Sequence, residues 1–255
     1  MTRDHVDETQ RQRLSAVAHA TSLMWGPIPE ATADDMVERV ASLGIGSGSR
    51  VLDLGCGPAE LLRRIVERTG AAGVGVDTSS FALEEARARI ARSPVGDRIE
   101  LRLADVNGMD RRAVHDLVLC IGPGWDTGGW SGLAAWASGF VAPGGHLLLG
   151  EGAWRRRPTT DELRTVGMEL DAYPPSDAVE GIVEAAGVQV LWSHRVAGAD
   201  WNAYGERYRA AMLDFLRSSP GDPIAAAARE RSGSQWPTYD LLHSVLDFVL
   251  VLGRP

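Results

Sequence analysis

The run Val51-Leu52-Asp53-Leu54-Gly55-Cys56-Gly57-Pro58-Ala59-Glu60 constrains the fold of this chain more than any other stretch. The mostly apolar residues 51 to 54 read as a parallel strand buried on both faces, and Gly55 and Gly57 allow a tight turn with close backbone approach. Pro58 sits where a helix can begin without its amide, and the following Ala59 to Arg68 has helical composition. Strand, glycine turn and helix in that order bring free amides and the positive end of a helix to one place, a seat for a nucleoside-bearing ligand.

The alternation continues downstream. Ala72 to Val76 is a second short strand ending at Asp77, and Ser79 to Arg92 carries Phe81, Leu83, Ala86 and Ile90 near helical spacing. Ile99, Leu101 and Leu103 alternate with charged residues before Asp105, and Leu117 to Ile121 is an apolar run ahead of Gly122-Pro123-Gly124-Trp125. Gly129 to Phe140 reads as a helix, Pro143-Gly144-Gly145 as a turn and His146 to Leu149 as a fifth strand. This order predicts an α/β fold with a doubly wound, mostly parallel sheet.

Past Glu151 the chain turns rich in Arg and Pro. A helix is expected near Asp177 to Ala186, a strand near Val188 to Arg195, helices over Asp200 to Arg217 and Pro223 to Arg231, and a last strand over Leu246 to Leu252. Residues 1–45 read as one or two amphipathic helices with Leu23-Met24-Trp25-Gly26-Pro27 between them. The expected division is a helical cap segment over 1–45 and a Rossmann-like domain over 46–255, with a helical insertion, a natural lid, at about 199–240.

Composition removes several classes. The 255 residues are 44% hydrophobic and 24% charged, an ordinary globular balance. No lysine occurs, which excludes a lysine Schiff base and a Walker-type phosphate lysine. A net charge of -8 argues against nucleic acid, and Arg155-Arg156-Arg157 reads as a solvated turn or an anion contact. No apolar run reaches the roughly 20 residues that span a bilayer, and the polar stretch Thr2 to Arg13 lacks a signal-peptide core, so no membrane association and a cytoplasmic location are expected. The six histidines show no metal-ligand spacing, so no metal is expected, and Cys56 and Cys120 read as reduced residues in apolar strand ends.

Two readings of the glycine turn differ at its third position. A dinucleotide fold wants glycine there to admit a pyrophosphate, whereas this chain has Glu60, tolerable beside a cationic sulfonium ligand with an ammonium group. With Asp53, Gly55 and Gly57 matching an acid, x, Gly, x, Gly motif, the chain resembles the class I S-adenosylmethionine-dependent methyltransferases. The resemblance covers residues 45–150 at the level of motifs. It implies seven strands with an antiparallel last strand, and S-adenosyl-L-methionine as cofactor. Asp77 would then bind the ribose hydroxyls, Asp105 the adenine amine and the Val106 amide a ring nitrogen, with Cys56, Thr78 and Cys120 completing the cofactor contacts. As residues, Asp77 also reads as a cap and Asp105 as a turn former before Asn107-Gly108. A nicotinamide-dependent reductase and a non-catalytic S-adenosylmethionine-binding module remain the alternatives.

The resemblance implies in-line methyl transfer to an acceptor atom, oxygen or nitrogen. The strand-four end lacks the Asn or Asp, Pro, Pro, aromatic motif of nucleic-acid amino methyltransferases, which favours a small-molecule acceptor. Positioning supplies most of such catalysis, and a base is needed only for a protonated acceptor. Glu151, expected just past strand five, is the candidate base or orienting residue, with a solvated loop acid as the other reading. Trp154 follows it. Trp201, Tyr204 and Tyr208 fall on one helical face and read either as core or as an acceptor wall. Trp25 is placed either over the methionine end, where an aromatic face favours a sulfonium, or in the cap's core.

Overall fold

The computed structural model describes residues 7–123, 127–196 and 198–255. Its sheet consists of β1 (Arg50–Leu54), β2 (Ala72–Asp77), β3 (Ile99–Leu103), β4 (His115–Ile121), β5 (Val141–Trp154), β6 (Gln189–Val196) and β7 (Leu246–Arg254), in the order β3-β2-β1-β4-β5-β7-β6. Pairing is parallel from β3 to β5, and β7 runs antiparallel to both β5 and β6. The winding reverses between β1 and β4, so a crevice opens beyond their carboxyl ends, where open α/β sheets bind ligands. Register aligns those ends: Leu54 lies opposite both Val76 and Cys120, and Ile121 opposite Gly150.

Helices cover both faces. The helix after the glycine turn, residues 60–69, buries Leu62, Ile65 and Val66 against β2, where glycine is required: a Cβ on Gly73 would stand 3.0 Å from both Leu62 Cδ1 and Val66 Cγ2. The sheet separates two apolar clusters, one containing Met36, Leu62, Leu83 and Phe248, the other Leu54, Cys120, Trp130 and Val249. A third, smaller core joins α1 (Glu8–Ala18) to the helices between β6 and β7 through Leu14, Ala18, Met212, Ile224 and Ala228. Arg13 of α1 reaches Asp222 at 2.5 Å across the same junction.

In chain order the remaining helices are α2 (Glu30–Ser42), α3 (Glu60–Thr69), α4 (Ser80–Ile90), α5 (Gly129–Ser138), α6 (Thr160–Val166), α7 (Val179–Ala185), α8 (Gly198–Ser218), α9 (Ala225–Ser232) and α10 (Trp236–Val245). The structure departs from the expected elements in four places. β5 begins before Pro143-Gly144-Gly145, where Val141 pairs with His115 of β4, and runs past Gly150 to Trp154 because β7 pairs along it from Leu147↔Gly253 to Trp154↔Leu246. Glu151 therefore lies inside the strand instead of beyond it. α6 begins at a capping box of Thr159 and Glu162 within the Arg- and Pro-rich stretch, and α10 starts with Pro237 in its first turn, where a missing amide costs nothing. The helix after the glycine turn starts at Glu60, with Ala59 in a left-handed conformation at φ 53°. Among the described residues no helix is long and apolar enough to cross a membrane.

Candidate cofactor and acceptor site

The chain leaves β1 through Gly55 and Gly57, both at positive φ (75° and 52°), and the amides of Gly55 and Cys56 both donate to Val76 O at 2.9 and 3.0 Å. The next amide, Gly57 N, donates to Asp77 Oδ2 at 2.8 Å, while Ser79 N donates to Asp77 Oδ1 at 2.7 Å. Each carboxylate oxygen has a second acceptor direction, so Asp77 holds the turn and still presents acceptor capacity. It borders a cavity of about 380 Å³ together with Thr78, Asp105, Val106, Gly55 and Gly122, walled on the outside by Glu8 and Gln12 of α1. Gln12 Nε2 ties that wall to Thr78 O at 3.4 Å.

Asp105 forms the expected turn and also borders this cavity. Its Oδ1 accepts from Asn107 N (2.9 Å) and Asn107 Nδ2 (3.0 Å), capping a short 3-10 turn over Val106–Gly108. Oδ1 carries both of those bonds, and Oδ2 carries neither.

A second cavity, of about 280 Å³, shares Gly55 and Gly122 with the first, so the two are halves of one cleft along the strand ends. Asp53, Cys56 and Gly57 form its floor, and Trp25, Ile28, Trp201, Tyr204 and Phe248 its far wall. Asp53 is buried at 6% exposure, and burial first, then the nearby Asp77 carboxylate, pushes its pKa up to about 8. Among the described residues no cationic side chain pairs with it. The Cys56 thiol is pushed well up by burial and by the same two acids, which makes it an inert wall and not a nucleophile. Glu60, buried at 4%, also borders this cavity, but its carboxylate is taken by Arg63 Nη2 (2.9 Å) and Arg64 Nε (2.8 Å). Burial pushes the Glu60 pKa up, and those arginines more than offset it, so the group stays ionised. Arg64 continues to Asp34 at 2.6 Å, which anchors α2 to α3. The acid at the third turn position is thus an ionic anchor.

This donor set fits S-adenosylmethionine. A buried acid without a cation, Asp53, suits an ammonium; Asp77 suits vicinal hydroxyls; Asp105 retains an acceptor oxygen for an amine. Two indole nitrogens at the second cavity, Trp25 Nε1 and Trp201 Nε1, are buried without a hydrogen-bond partner, a cost that a chain retains where a ligand completes the site. Among the described residues no group of three or more His, Cys, Asp or Glu could hold a metal ion.

Several residues singled out on sequence lie elsewhere. Cys120 is fully buried in the core, and the residues that border the cleft there are Ile121, the last of β4, and Gly122 after it. Trp154, 3% exposed, donates its Nε1 to Leu170 O at 2.8 Å and packs edge-on against Tyr173, so it is a core residue. Tyr208 packs in the small third core and accepts from Arg231 Nη1 at 3.0 Å. Glu151 borders neither cavity. A Cβ on Gly150 would meet Ile121 and Phe248, so residues 150 and 152 face the second cavity's side of the sheet and Glu151 faces the other. Its Oε1 accepts from Gly152 N at 2.6 Å, and burial pushes its pKa up to about 7. Gly124 and Trp125 lie outside the described residues.

The structure adds residues that sequence did not single out. Phe248 enters from β7, and Ile121 and Gly122 from the end of β4. His19, the residue capping α1, bonds Tyr204 through Nε2 at 2.8 Å and stacks on Trp25 with ring centroids 5.2 Å apart. Trp201 carried a signal in the aromatic stripe. His19 carried none.

A family model described as a methyltransferase domain matches residues 51–145. The chain is 28% identical over 198 residues to the uncharacterized protein YjhP of Escherichia coli (strain K12), covering 75% of this chain and 80% of that one. It is 34% identical over 117 residues to a trans-aconitate 2-methyltransferase of Streptomyces avermitilis, covering 45% of this chain and 43% of the relative. A SAM-dependent methyltransferase from Geobacter sulfurreducens, solved in complex with S-adenosyl-L-homocysteine, superposes with a TM-score of 0.86 at 24% identity, over 95% of this chain and 98% of that one. Residues 51–145 thus match a methyltransferase domain, and the seven-stranded sheet that contains them has the fold of a S-adenosylmethionine-dependent methyltransferase.

Proposed function

We propose that the chain transfers a methyl group to a small-molecule acceptor held in the aromatic half of the cleft. The observation that carries this reading is the pair of cavities joined at Gly55 and Gly122, one bordered by Asp77 and Asp105, the other by Asp53 and four aromatic side chains. In this reading Asp77 and Thr78 hold the ribose, Asp105 and the Val106 amide hold adenine, and Asp53 with Gly55, Cys56 and Gly57 receives the methionine end. Bound S-adenosylmethionine supplies a methyl group already activated by its sulfonium charge. The protein's own part is alignment and exclusion of water, and Trp25 and Tyr204 on the far wall orient the acceptor.

A polymeric acceptor fits poorly. The segment from Met24 to Ile28 and α8 wall the second cavity, and the chain's net charge is -8. The trans-aconitate 2-methyltransferase relative is named for a small acceptor, which agrees. The test is release of S-adenosylhomocysteine from S-adenosylmethionine across a panel of phenols, carboxylic acids and amines. Turnover with at least one of these is expected, and turnover confined to DNA, RNA or protein acceptors would overturn the reading.

A further inference from the structure

The far wall of the second cavity contains an acid–base pair that the cofactor contacts leave unused. His19 Nδ1 lies 2.7 Å from Ser15 O, and a carbonyl can only accept, so the proton of the neutral ring sits on Nδ1. Nε2 is therefore a lone pair, and the Tyr204 hydroxyl 2.8 Å away donates to it. This fixes the direction of the pair: the phenolic proton points at His19, and the lone pairs of the Tyr204 oxygen point away from it. Tyr204 borders the cavity and His19 stands behind it. The ring of His19 is held by Trp25 on one face and by the edge of Tyr208 at 5.2 Å.

We propose that Tyr204, backed by His19, takes the proton of a hydroxyl-bearing aromatic acceptor bound between Trp25, Trp201 and Phe248. This rests on the methyltransferase reading above and adds to it the acceptor class and the proton's path. A dry cavity of about 150 Å³ holds a benzene ring, so the 280 Å³ cavity has room for one ring beside the methionine end of the cofactor. The step balances. The acceptor oxygen forms its bond to the methyl carbon, and the carbon–sulfur electron pair stays on sulfur as a neutral thioether. The acceptor's proton goes to the Tyr204 oxygen as the proton of Tyr204 passes to His19 Nε2.

Charge explains why a buried imidazole can serve. Burial holds the His19 pKa down at about 4, the Ser15 carbonyl only partly opposing it, so the ring is neutral and free to accept. Creating an imidazolium there is costly in isolation. Methyl transfer removes one positive charge from sulfur in the same enclosed cleft, so the proton on His19 restores the charge instead of adding to it. The groups facing His19 are Ser15 on its own helix, Trp25 on the following segment, and Tyr204 and Tyr208 on α8, with Arg231 of α9 bonded to Tyr208. Among these, Arg231 is the charged group. Its charge persists through the reaction, so loss of the sulfonium charge removes one of the two cations that oppose an imidazolium at His19.

Tyr204 is the catalytic residue in this scheme and His19 a positioning residue acting through it. Tyr204→Phe and His19→Gln separate the roles, since Gln keeps an acceptor but no basic nitrogen. With the full chain and S-adenosylmethionine, a simple phenol and a nitrophenol ionised at the assay pH serve as probes. Both variants are expected to lose about 10²- to 10⁴-fold in kcat with the phenol and less than about tenfold with the ionised probe, which needs no base. Nitrogen-15 spectra of the histidine rings supply a readout independent of turnover: His19 protonated on Nδ1, with its Nε2 resonance displaced in Tyr204→Phe. Equal losses with both probes, a proton on Nε2, or methylation confined to acids and amines would overturn the relay. Absence of S-adenosylhomocysteine binding by the folded wild type would instead overturn the methyltransferase reading beneath it.

Discussion

Gly57 and Asp77, 20 residues apart, are joined by a 2.8 Å hydrogen bond from the amide to Oδ2, so the residue at the end of β2 that borders the first cavity also holds the glycine turn in shape. Asp77→Ala removes this bond and the one from Ser79 N, and hydrogen bonds to a charged group are worth about 1.5–3 kcal/mol each. The variant is expected to bind cofactor at least tenfold more weakly and to unfold at lower urea concentration, with unfolding followed by circular dichroism. Asp77→Asn, which keeps an acceptor oxygen, should recover part of the stability and little of the affinity.

Gly75 couples the sheet to the same turn. A Cβ there would stand 2.9 Å from Cys56 Sγ and 3.0 Å from Leu101 Cδ2. Overpacking of this kind costs about 1–3 kcal/mol, and relief requires moving Cys56, which borders the second cavity. Gly75→Ala should therefore lower both stability and cofactor affinity. Gly73→Ala, crowded by Leu62 and Val66 instead, should lower stability with affinity nearly unchanged. Equal affinities for the two variants would contradict the coupling.

Asp53 makes both stability and binding depend on pH. Its folded pKa of about 8 lies above the unfolded value of 3.8, so the native state holds the extra proton between them. The stability it contributes is fully present below about pH 4 and is lost as pH rises through 8, with a slope of at most about 1.4 kcal/mol per pH unit. A ligand ammonium beside it favours the ionised form and releases that proton. Cofactor affinity should then rise with pH up to about 8 and level off, with close to one proton released near neutral pH. Calorimetry in buffers of different ionisation enthalpy measures that proton, and Asp53→Asn should abolish its release.

Trp154 and Trp25 separate packing from function. Trp154 is core, bonded to Leu170 O, and Trp154→Ala should cost about 3–5 kcal/mol of stability. Trp25 is half-buried at the cavity with an unpartnered Nε1, so Trp25→Phe should cost little stability and weaken acceptor binding, read as a rise in KM. A stability loss from Trp25→Phe as large as that from Trp154→Ala would place Trp25 in the core instead.

The first cavity is legible in sequence because most of its residues close local units. Gly55, Asp77 and Asp105 lie at or just past the ends of strands whose apolar pattern precedes them, and parallel register brings those ends together. The far wall of the second cavity is not local. His19 and Tyr204 are 185 residues apart, and Phe248 arrives on β7. No pattern within one segment announces such a meeting. Glu151 and Trp154 are misplaced for a related reason. The length of β5 is set by its antiparallel partner β7, and the alternation of an extended strand then sends Trp154 into the core and Glu151 to the face away from the second cavity.

The most direct measurement is calorimetric titration of the full chain and of Asp77→Ala with S-adenosylhomocysteine, alongside NADH as a control. The account predicts one site on the wild type with a Kd on the order of micromolar, at least tenfold weaker binding to folded Asp77→Ala, and no binding of NADH. Folded wild type that does not bind S-adenosylhomocysteine, or Asp77→Ala that binds it as well as wild type does, would contradict the site assigned to the Gly55–Asp77 cleft.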